Sequence, residues 1–187
     1  MSKTKKPVIV YTITKKEFDK LSKKKQRLAV VQDVLDRIKL GQFKPKAKQF
    51  VGQLKTSVEL EDVEQVSEIL KSLDTKCEVC AKGGLFMAYV GIVNCYERKT
   101  YTNTIGNGIG QENNSTEMKM LSKVFSIKQL NLIETAFEKF AYDWNVAELS
   151  NEEIYSAISF GKIHNTQEKR LKAICNNIIK NEGEFKL

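Results

Sequence analysis

The chain has 187 residues and a net charge of +8; 41% of its residues are hydrophobic and 29% are charged. This is the composition of an ordinary globular protein, and the small number of chain breakers, 2 Pro and 10 Gly, excludes a fibrous or low-complexity chain and predicts long helices. No apolar run approaches the roughly 18 residues that a membrane span needs. The basic start leads into a β-prone run and not into a signal-peptide core. We expect one cytoplasmic domain over residues 1–187, without membrane contact.

The charge is divided unequally along the chain. Residues 1–55 carry 16 Lys and Arg against 4 Asp and Glu, a net +12, which leaves −4 of the total +8 for residues 56–187. We call residues 1–55 the basic N-terminal lobe and the remainder the acidic-to-neutral body. Because a lobe of this charge attracts polyanions, we expect a contact surface to lie within it. A lysine-rich face that serves only solubility is the competing interpretation.

The first third of the chain predicts an edge strand followed by helices. Val8–Ile13 is β-prone, and Thr14 with Glu17 has the spacing of a capping box that starts a helix. Apolar residues recur at helical spacing over Lys23–Leu40, and Gly41 is a natural stop. The face of this helix that we expect to be exposed carries Lys24, Arg27, Asp33, Arg37 and Lys39.

Three segments of contrasting composition follow. Gln42–Leu54 alternates basic and apolar residues around Pro45, which predicts an extended segment or a short hairpin. Glu59–Leu73 has the pattern of an acidic amphipathic helix. If it packs against the basic N-terminal lobe, it neutralises part of the charge of that lobe; otherwise the lobe stays exposed to a partner. Cys77–Tyr96 is nearly uncharged, which predicts a buried central helix.

The remaining chain predicts a loop and four helices. Arg98–Glu117 is rich in Asn and Gly and predicts an exposed, flexible loop over residues 98–117. A short helix is expected over Thr116–Val124. Three helices with polar caps follow. The first is capped by Ser126 with Gln129 and carries the apolar residues Leu130, Ile133, Phe137, Phe140 and Trp144. The second, Glu152–Phe160, is capped by Ser150 with Glu153 and closed by Gly161, and the third, Gln167–Lys180, is capped by Thr166 and turns Leu171, Ile174, Cys175 and Ile178 inward. The fold class is therefore mainly α, a single helical domain of about six or seven helices with a small β element in the N-terminal third.

The cysteines offer the sharpest local pattern. Cys77 and Cys80 form a C-x-x-C pair before a Lys-Gly-Gly turn, a spacing typical of half of a zinc knuckle. The other soft ligands, Cys95, Cys175 and His164, lie far away in sequence, and a catalytic thiol would need a His to orient it. We therefore expect reduced core thiols, no catalytic residue, no metal and no cofactor. A zinc site formed by Cys77, Cys80, Cys95 and His164 is the alternative.

Other catalytic motifs are missing or incomplete. Gly106–Gly110 is glycine-rich but has neither the dinucleotide spacing nor the Lys-Ser or Lys-Thr pair of a P-loop, so a flexible loop is the favoured interpretation. No HExxH or GxSxG motif is present, which removes the well-marked zinc proteases and serine hydrolases. An enzyme with scattered Asp and Glu would leave no such mark.

The basic N-terminal lobe is thus the main candidate for function. Lysine outnumbers arginine there, which suits contacts with phosphate and not the reading of base edges. We expect binding to an RNA backbone, or to a protein that carries RNA, and not sequence-specific DNA recognition. The candidate binding residues are Lys15, Lys16, Lys20, Lys23, Lys24, Lys25, Arg27, Lys44, Lys46 and Lys48.

Three stretches of the chain resemble a family of proteins found mainly in phages, prophages and mobile elements. They are Arg27–Lys39 (RLAVVQDVLDRIK), Cys77–Phe86 (CEVCAKGGLF) and Arg170–Asn181 (RLKAICNNIIKN). The resemblance spans most of the chain and brings no assigned catalytic residues. It implies an accessory protein of a mobile element, because small phage-borne proteins without a housekeeping motif are often inhibitors of host defence, anti-CRISPR proteins included.

Charge and resemblance together predict a function. We expect a non-enzymatic inhibitor of a host defence system that binds an RNA-guided CRISPR nuclease, or its guide RNA, through the basic N-terminal lobe in the host cytoplasm. One alternative is a sponge for a small anionic signalling nucleotide, with Gly106–Gly110 near the ligand. The other is a cryptic nuclease or modifying enzyme.

Overall fold

The computed structural model describes residues 13–52, 54–59, 63–98, 115–141, 146 and 148–187. Within these ranges the chain is mainly helical with a small two-stranded sheet, as the sequence predicts. The helices are α1 (Lys15–Lys20), α2 (Lys23–Lys39), α3 (Val66–Ile69), α4 (Ala81–Val93), α5 (Thr116–Leu121), α6 (Ile127–Glu138), α7 (Asn151–Lys162) and α8 (Gln167–Lys180). The strands are β1 (Phe43–Pro45) and β2 (Cys77–Val79). Buried apolar side chains from both halves of the chain form a connected core.

The first two helices begin where the sequence predicts. The Thr14 hydroxyl accepts a hydrogen bond from the Glu17 backbone N–H at 3.3 Å, and the Glu17 carboxylate accepts one from the Thr14 N–H at 2.8 Å. This reciprocal pair is the predicted capping box. The Ser22 hydroxyl caps α2 by accepting from the Lys25 N–H at 3.4 Å. Gly41, with φ at +73°, follows the last turn of α2 in the left-handed region that favours glycine.

Arg37 departs from its predicted exposed position on α2 and is completely buried. Its Nε donates a hydrogen bond to the Asp33 carboxylate at 2.6 Å, and its Nη1 donates to the Gln42 side-chain oxygen at 2.7 Å and to the Leu70 carbonyl at 3.0 Å. The guanidinium also lies over the ring of Phe43, 5.4 Å from its centroid. Arg37 therefore ties α2 to β1 and to the end of α3 instead of facing solvent.

The segment after α2 is extended, as predicted, but its main partner is distant in sequence. β1 pairs in parallel with β2 and not with a following hairpin strand, and Phe43 lies opposite Cys77. Beyond β1 the chain returns along the other edge of β2, where Val51 forms an antiparallel bridge to Val79. The predicted extended segment Gln42–Leu54 thus supplies residues to both edges of β2.

α4 is the central helix of the core, and all of its residues are buried. It is shorter than the helix predicted over Cys77–Tyr96, because the first three residues of that range form β2. The chain turns into the helix at Cys80, whose Sγ accepts a hydrogen bond from the Gly83 N–H at 3.4 Å. Gly83 also allows a close approach of the backbone at Phe50, since a Cβ on it would lie 1.5 Å from the Phe50 carbonyl oxygen.

The acidic helix predicted over Glu59–Leu73 is reduced to the single turn of α3 in the described part of that range. Residues 60–62 lie outside the described residues. The residues just before α3 are extended, because Gln65 forms an antiparallel bridge to Glu97 and the Arg98 N–H donates to the Glu64 carbonyl at 2.8 Å. These long-range backbone hydrogen bonds override the local helical periodicity.

The helices of the C-terminal half start at their predicted caps but differ at their ends. The confirmed caps of α6, α7 and α8 are Ser126, Ser150 and Thr166. α6 ends at Glu138, and the next residue, Lys139, has a left-handed φ of 59°. Phe140 therefore follows the helix with 57% exposure instead of lying on its inner face. Trp144, predicted further along the same helix, lies outside the described residues. The short helix predicted over Thr116–Val124 is α5, which ends at Leu121.

Gly161 lies inside α7 and does not close it, contrary to the prediction. The helix continues to Lys162, and Gly161 is buried against α6. A Cβ on Gly161 would lie 2.0 Å from the Ala136 carbonyl oxygen. The missing side chain therefore serves the close approach of α6 and α7 and not the end of a helix.

α8 packs against α2 and β1, and its predicted inner face is buried. After α8 the chain returns to the start of α2, where the Gly183 carbonyl accepts a hydrogen bond from the Arg27 Nε at 2.6 Å. Phe185, two residues further on, is only 2% exposed, and its backbone N–H donates to the Gln129 side chain of α6 at 2.8 Å. The residues after α8 thus join the N-terminal helices to the C-terminal ones.

Two predicted segments lie wholly or mostly outside the described residues. They are the edge strand over Val8–Ile13, of which only Ile13 is described, and the loop over Arg98–Glu117, which includes Gly106–Gly110. Among the helices that the structure does describe, none is long and apolar enough to cross a membrane.

Candidate anion-binding surfaces

The lysines of α1 and of the first turn of α2 lie together on the surface. We call them the N-terminal lysine cluster: Lys15, Lys16, Lys20, Lys23, Lys24 and Lys25, all exposed. Phe18 anchors α1 in the core with 1% exposure, and its carbonyl accepts a hydrogen bond from the Gln26 side chain at 3.0 Å. The two helices that carry the cluster are therefore held together from beneath.

Few carboxylates oppose the N-terminal lysine cluster. Lys15 contacts Asp19 at 2.7 Å, and Lys24 lies 3.8 Å from Glu182. All four side chains are more than half exposed, and surface pairs of this kind contribute about 0–1 kcal/mol each. The other four lysines have no carboxylate within 4.0 Å in the described part of the chain. Most of the charge of the cluster thus remains available to a partner.

The predicted neutralisation by the segment Glu59–Leu73 is not seen in the described residues. None of its described glutamates, which are Glu59, Glu64 and Glu68, forms an ion pair with a lysine of the cluster. The segment instead packs α3 against α4 in the body of the protein. Between the cluster and the described residues of this segment, no ion pair cancels the charge of either.

Arg27, predicted as a binding residue, is half-buried and serves the fold. Its Nε donates to the Gly183 carbonyl at 2.6 Å, and its Nη1 donates to the Val124 carbonyl at 3.2 Å. The Glu184 carboxylate lies 3.9 Å from its remaining nitrogen. Arg27 therefore joins α2 to the chain after α5 and after α8, and little of its guanidinium faces a partner.

The other predicted binding residues, Lys44, Lys46 and Lys48, lie at the opposite end of α2. A helix of 17 residues is about 25 Å long, so these lysines are separated from the N-terminal lysine cluster by roughly that distance. Lys44 and Lys46 both contact Glu78 of β2, and these contacts, that of Lys46 above all, lower the pKa of the Glu78 carboxyl. The basic surface that the sequence predicts is thus divided into two.

A cleft of about 750 Å³ opens beside β1 and β2 at this second end of α2. We call it the sheet cleft. The residues that line it include the lysines Lys44, Lys55 and Lys76, the glutamates Glu78 and Glu168, and the buried residue Phe43. The sequence could not indicate this cleft, because its lysines come from three segments that only the pairing of β2 with its neighbours brings together.

The four residues of the alternative zinc site are not brought into one group. Cys77 lies in β2 and Cys80 at the start of α4, both buried, while Cys95 is exposed beyond the end of α4 and His164 packs on the ring of Phe160. Within the described ranges, no group of three or more His, Cys, Asp or Glu side chains could hold a metal ion. Burial raises the pKa of Cys77 to about 12 and that of Cys80 well above its ordinary value, which suits core thiols and not nucleophiles.

A buried polar cluster lies where the start of α4 meets α6. The Lys82 ammonium donates to the Asn131 side-chain oxygen at 2.9 Å, and the Lys82 backbone N–H donates to the Glu134 carboxylate at 2.9 Å. Burial lowers the pKa of Lys82, and Glu134 opposes that shift. The only sequence signal for this cluster is a lysine within an apolar run. The partners of Lys82, Asn131 and Glu134, are three residues apart on one face of α6 and compensate the buried charge of the Lys82 ammonium.

Glu138, one turn beyond Glu134, titrates near neutral pH. Burial, together with repulsion from Glu134, raises the pKa of Glu138 to about 7, although the carboxylate accepts a hydrogen bond from the Lys48 backbone N–H at 2.7 Å. The folded protein therefore holds this proton more tightly than the unfolded chain, whose carboxyl has a pKa of about 4.5. Through this group, stability falls as the pH rises from about 4.5 to about 7.

The Glu138→Gln variant should lose this pH dependence. The amide keeps an acceptor for the Lys48 N–H but carries no charge. We therefore expect wild-type stability at pH 4, below the pKa of the unfolded carboxyl, and a gain of about 1–2 kcal/mol at pH 8, a value reduced for the part of the carboxyl that solvent reaches. Urea unfolding of both proteins at the two pH values measures the difference. Parallel pH dependences of wild type and variant would show that Glu138 is not the titrating group.

Comparisons with known proteins add no relative. A scan against protein-family models finds no match, and searches among curated proteins and solved structures find none either. The binding surfaces proposed below are therefore argued from the residues and geometry of this chain.

Proposed function

We propose that this protein binds the phosphate backbone of RNA, free or within a ribonucleoprotein, through the N-terminal lysine cluster. The observation that carries the proposal is a set of six exposed lysines on two adjoining helices, opposed by only two weak ion pairs in the described residues. Such a cluster attracts a polyanion over a range of about 10 Å at 0.1 M salt.

The position of three of these lysines supports binding over mere solubility. Lys23, Lys24 and Lys25 occupy the first turn of α2, which contains no acidic residue. The helix dipole favours carboxylates there, and each misplaced cation costs about 0.3–1 kcal/mol at low salt. A face that served only solubility could carry Glu or Asp at these positions and gain stability. The three lysines thus lower the stability of α2, and a binding role explains why the chain carries positive charge there whereas a solubility role does not.

Lysine rather than arginine suits contact with phosphates. Its ammonium is a compact point charge on a flexible stem, whereas base edges are read by planar, bidentate groups. The cluster contains no arginine, and the neighbouring Arg27 is engaged with backbone carbonyls. We accordingly expect binding that is strongly dependent on salt and nearly independent of sequence.

The resemblance to phage and mobile-element proteins suggests which RNA is bound. On that ground the proposed partner is a host defence complex, an RNA-guided CRISPR nuclease with its guide RNA, which the bound protein would inhibit without chemistry of its own. This step depends on the resemblance alone, whereas the lysine surface supports RNA binding independently of it.

Reversing the charge of Lys23, Lys24 and Lys25 to glutamate tests the surface. We expect the variant to fold, because glutamate is favoured in the first turn of a helix. Its affinity for a fluorescein-labelled single-stranded RNA at 0.1 M salt should fall at least about tenfold, and the slope of log K against log salt should decrease by about 2–3. Fluorescence anisotropy at four salt concentrations measures both quantities.

The matched control reverses three exposed lysines outside the cluster, Lys71, Lys162 and Lys169, and so changes the net charge by the same amount. This control should retain most of its RNA affinity. Equal losses in the two variants would reduce the effect to net charge and overturn the proposed surface. For the defence complex, cleavage by a guide-loaded nuclease should be inhibited by the wild type and by the control but not by the cluster variant.

A further inference from the structure

The end of α4 is where a further lysine meets the N-terminal lysine cluster. Phe18 of α1 packs edge-on against Tyr89 of α4, with 6.1 Å between the ring centroids, so α1 lies on the last turns of α4. α5 packs against the same helix. The chain just after α5 is joined to α2, because the Arg27 Nη1 donates to the Val124 carbonyl at 3.2 Å. Lys123, the residue before Val124, is therefore held close to the cluster.

Cys95 is a neighbour of both Lys123 and the N-terminal lysine cluster. It lies two residues beyond the end of α4 and is exposed. Partial burial raises the pKa of its thiol, the positive charges of Lys123 and Lys15 oppose that rise, and the negative charge of Asp19 adds to it. Such effects fade over about 10 Å at 0.1 M salt. The ammonium groups of Lys123 and Lys15 therefore belong to one stretch of surface around Cys95, although they come from distant parts of the chain.

The charge of Lys123 is not compensated by the described residues. Lys123 is exposed and forms no ion pair with a described Asp or Glu. Asp19, the carboxylate on this stretch of surface, contacts Lys15 at 2.7 Å. With the six lysines of the cluster, Lys123 makes a surface of like charges from α1, the start of α2 and the chain after α5. Like charges repel one another, and a polyanion that contacts several of them removes the repulsion.

We propose that the RNA backbone bound by the N-terminal lysine cluster continues across Cys95 to Lys123. This inference rests on the proposed function and extends its surface from α1 and α2 to the chain after α5. Lysines on three segments can be engaged together only by a ligand that carries several phosphates in a row. The partner that fits this surface is therefore a continuous stretch of RNA and not a mononucleotide or inorganic phosphate.

The thiol of Cys95 reports on this path in the wild-type chain. The other three cysteines are buried, so the uncharged reagent N-ethylmaleimide should alkylate Cys95 first. Saturating single-stranded RNA should slow that reaction at least about fivefold, because the backbone covers the sulfur and its negative charge lowers the thiolate fraction. Inorganic phosphate should give no such protection. Peptide mass spectrometry at timed intervals measures the rate at each cysteine.

The Lys123→Gln variant tests the lysine itself. Without RNA, its Cys95 should be alkylated more slowly than that of the wild type, because a charge that favours the thiolate is gone. Its affinity for RNA should fall about three- to tenfold, and the slope of log K against log salt should decrease by about 1. The matched control Lys162→Gln, exposed on α7, removes the same charge and should leave all three quantities unchanged.

The outcomes separate this path from the proposed function. RNA binding without protection of Cys95, or equal losses of affinity in the two lysine variants, would overturn the path and leave the proposed function standing. Equal alkylation rates of Lys123→Gln and wild type without RNA would show that Lys123 does not lie beside Cys95, with the same consequence. Failure of the wild type to bind RNA at all would refute the proposed function and the path with it.

Discussion

Replacing Gly83 with alanine is expected to destabilise the protein by about 3 kcal/mol or more. The new Cβ would lie 1.5 Å from the carbonyl oxygen of Phe50 and 2.5 Å from its carbon. Both atoms belong to the backbone, so no side-chain rotation can relieve the clash, and α4 must move away from the segment that flanks β2. The higher helix propensity of alanine, worth about 1 kcal/mol, is too small to compensate.

The neighbouring Gly84 provides the matched control. A Cβ on Gly84 would meet only side chains at ordinary contact distances, the nearest being Val79 at 3.5 Å. The Gly84→Ala variant should therefore be unchanged or more stable by up to about 1 kcal/mol. Urea unfolding of the two variants measures the contrast. Similar stabilities would mean that α4 does not approach Phe50 as closely as described.

The second large effect is expected at Arg37, where substitution by leucine should cost about 3–5 kcal/mol. Burial lowers the pKa of Arg37 only to about 10, so the side chain is still charged at neutral pH. Its removal leaves the Asp33 carboxyl, whose pKa burial and then the charge of Asp36 already raise well above the usual value, buried without its cation, and it deprives the Leu70 carbonyl of a donor. An uncompensated buried charge is among the most destabilising single changes.

Two further variants separate the charge effect from the loss of packing. In the Arg37→Leu background, Asp33→Asn should restore part of the lost stability, because no buried charge then remains. Lys39→Leu, on the exposed side of the same helix, should change stability by no more than about 0.5 kcal/mol. Thermal or urea unfolding of Arg37→Leu, of the double variant and of Lys39→Leu measures these differences in the free energy of unfolding. If Asp33→Asn only added to the loss, the charge would not be the cause.

Local signals in the sequence were sufficient for the elements whose ends are fixed locally. The capping box of Thr14 and Glu17, the stop at Gly41 and the cap at Thr166 are interactions between residues a few positions apart, so α1, α2 and α8 could be located closely. By contrast, β2 and the extended residues before α3 are held by partners tens of residues away. Local periodicity does not depend on those partners, so the sequence alone predicts helices over both segments.

In the candidate sites, too, features fixed by local sequence could be predicted and features fixed by distant residues could not. The two helices that carry the N-terminal lysine cluster could be predicted from their caps and apolar spacing. The exposure of the cluster could not, because it depends on whether another segment of the chain packs over it. The burial of Arg37 could not, since it depends on Leu70 and Gln42 arriving beneath α2. Nor could the antiparallel bridge between Lys55 and Lys76 beside the sheet cleft, because these residues are 21 positions apart and only the tertiary fold pairs them.

The return of the chain to Arg27 after α8 has a consequence for the order of folding. The hydrogen bond from Arg27 to Gly183 joins residues 156 positions apart, and Phe185 fills the core beside it. At a synthesis rate of about 5–20 residues per second, Arg27 is made about 8–30 s before Gly183. Until then the N-terminal helices lack their final anchor. The N-terminal lysine cluster therefore reaches its final geometry only when residues 183–185 have been made. A nascent chain arrested earlier has all six lysines but lacks the contacts that fix the start of α2.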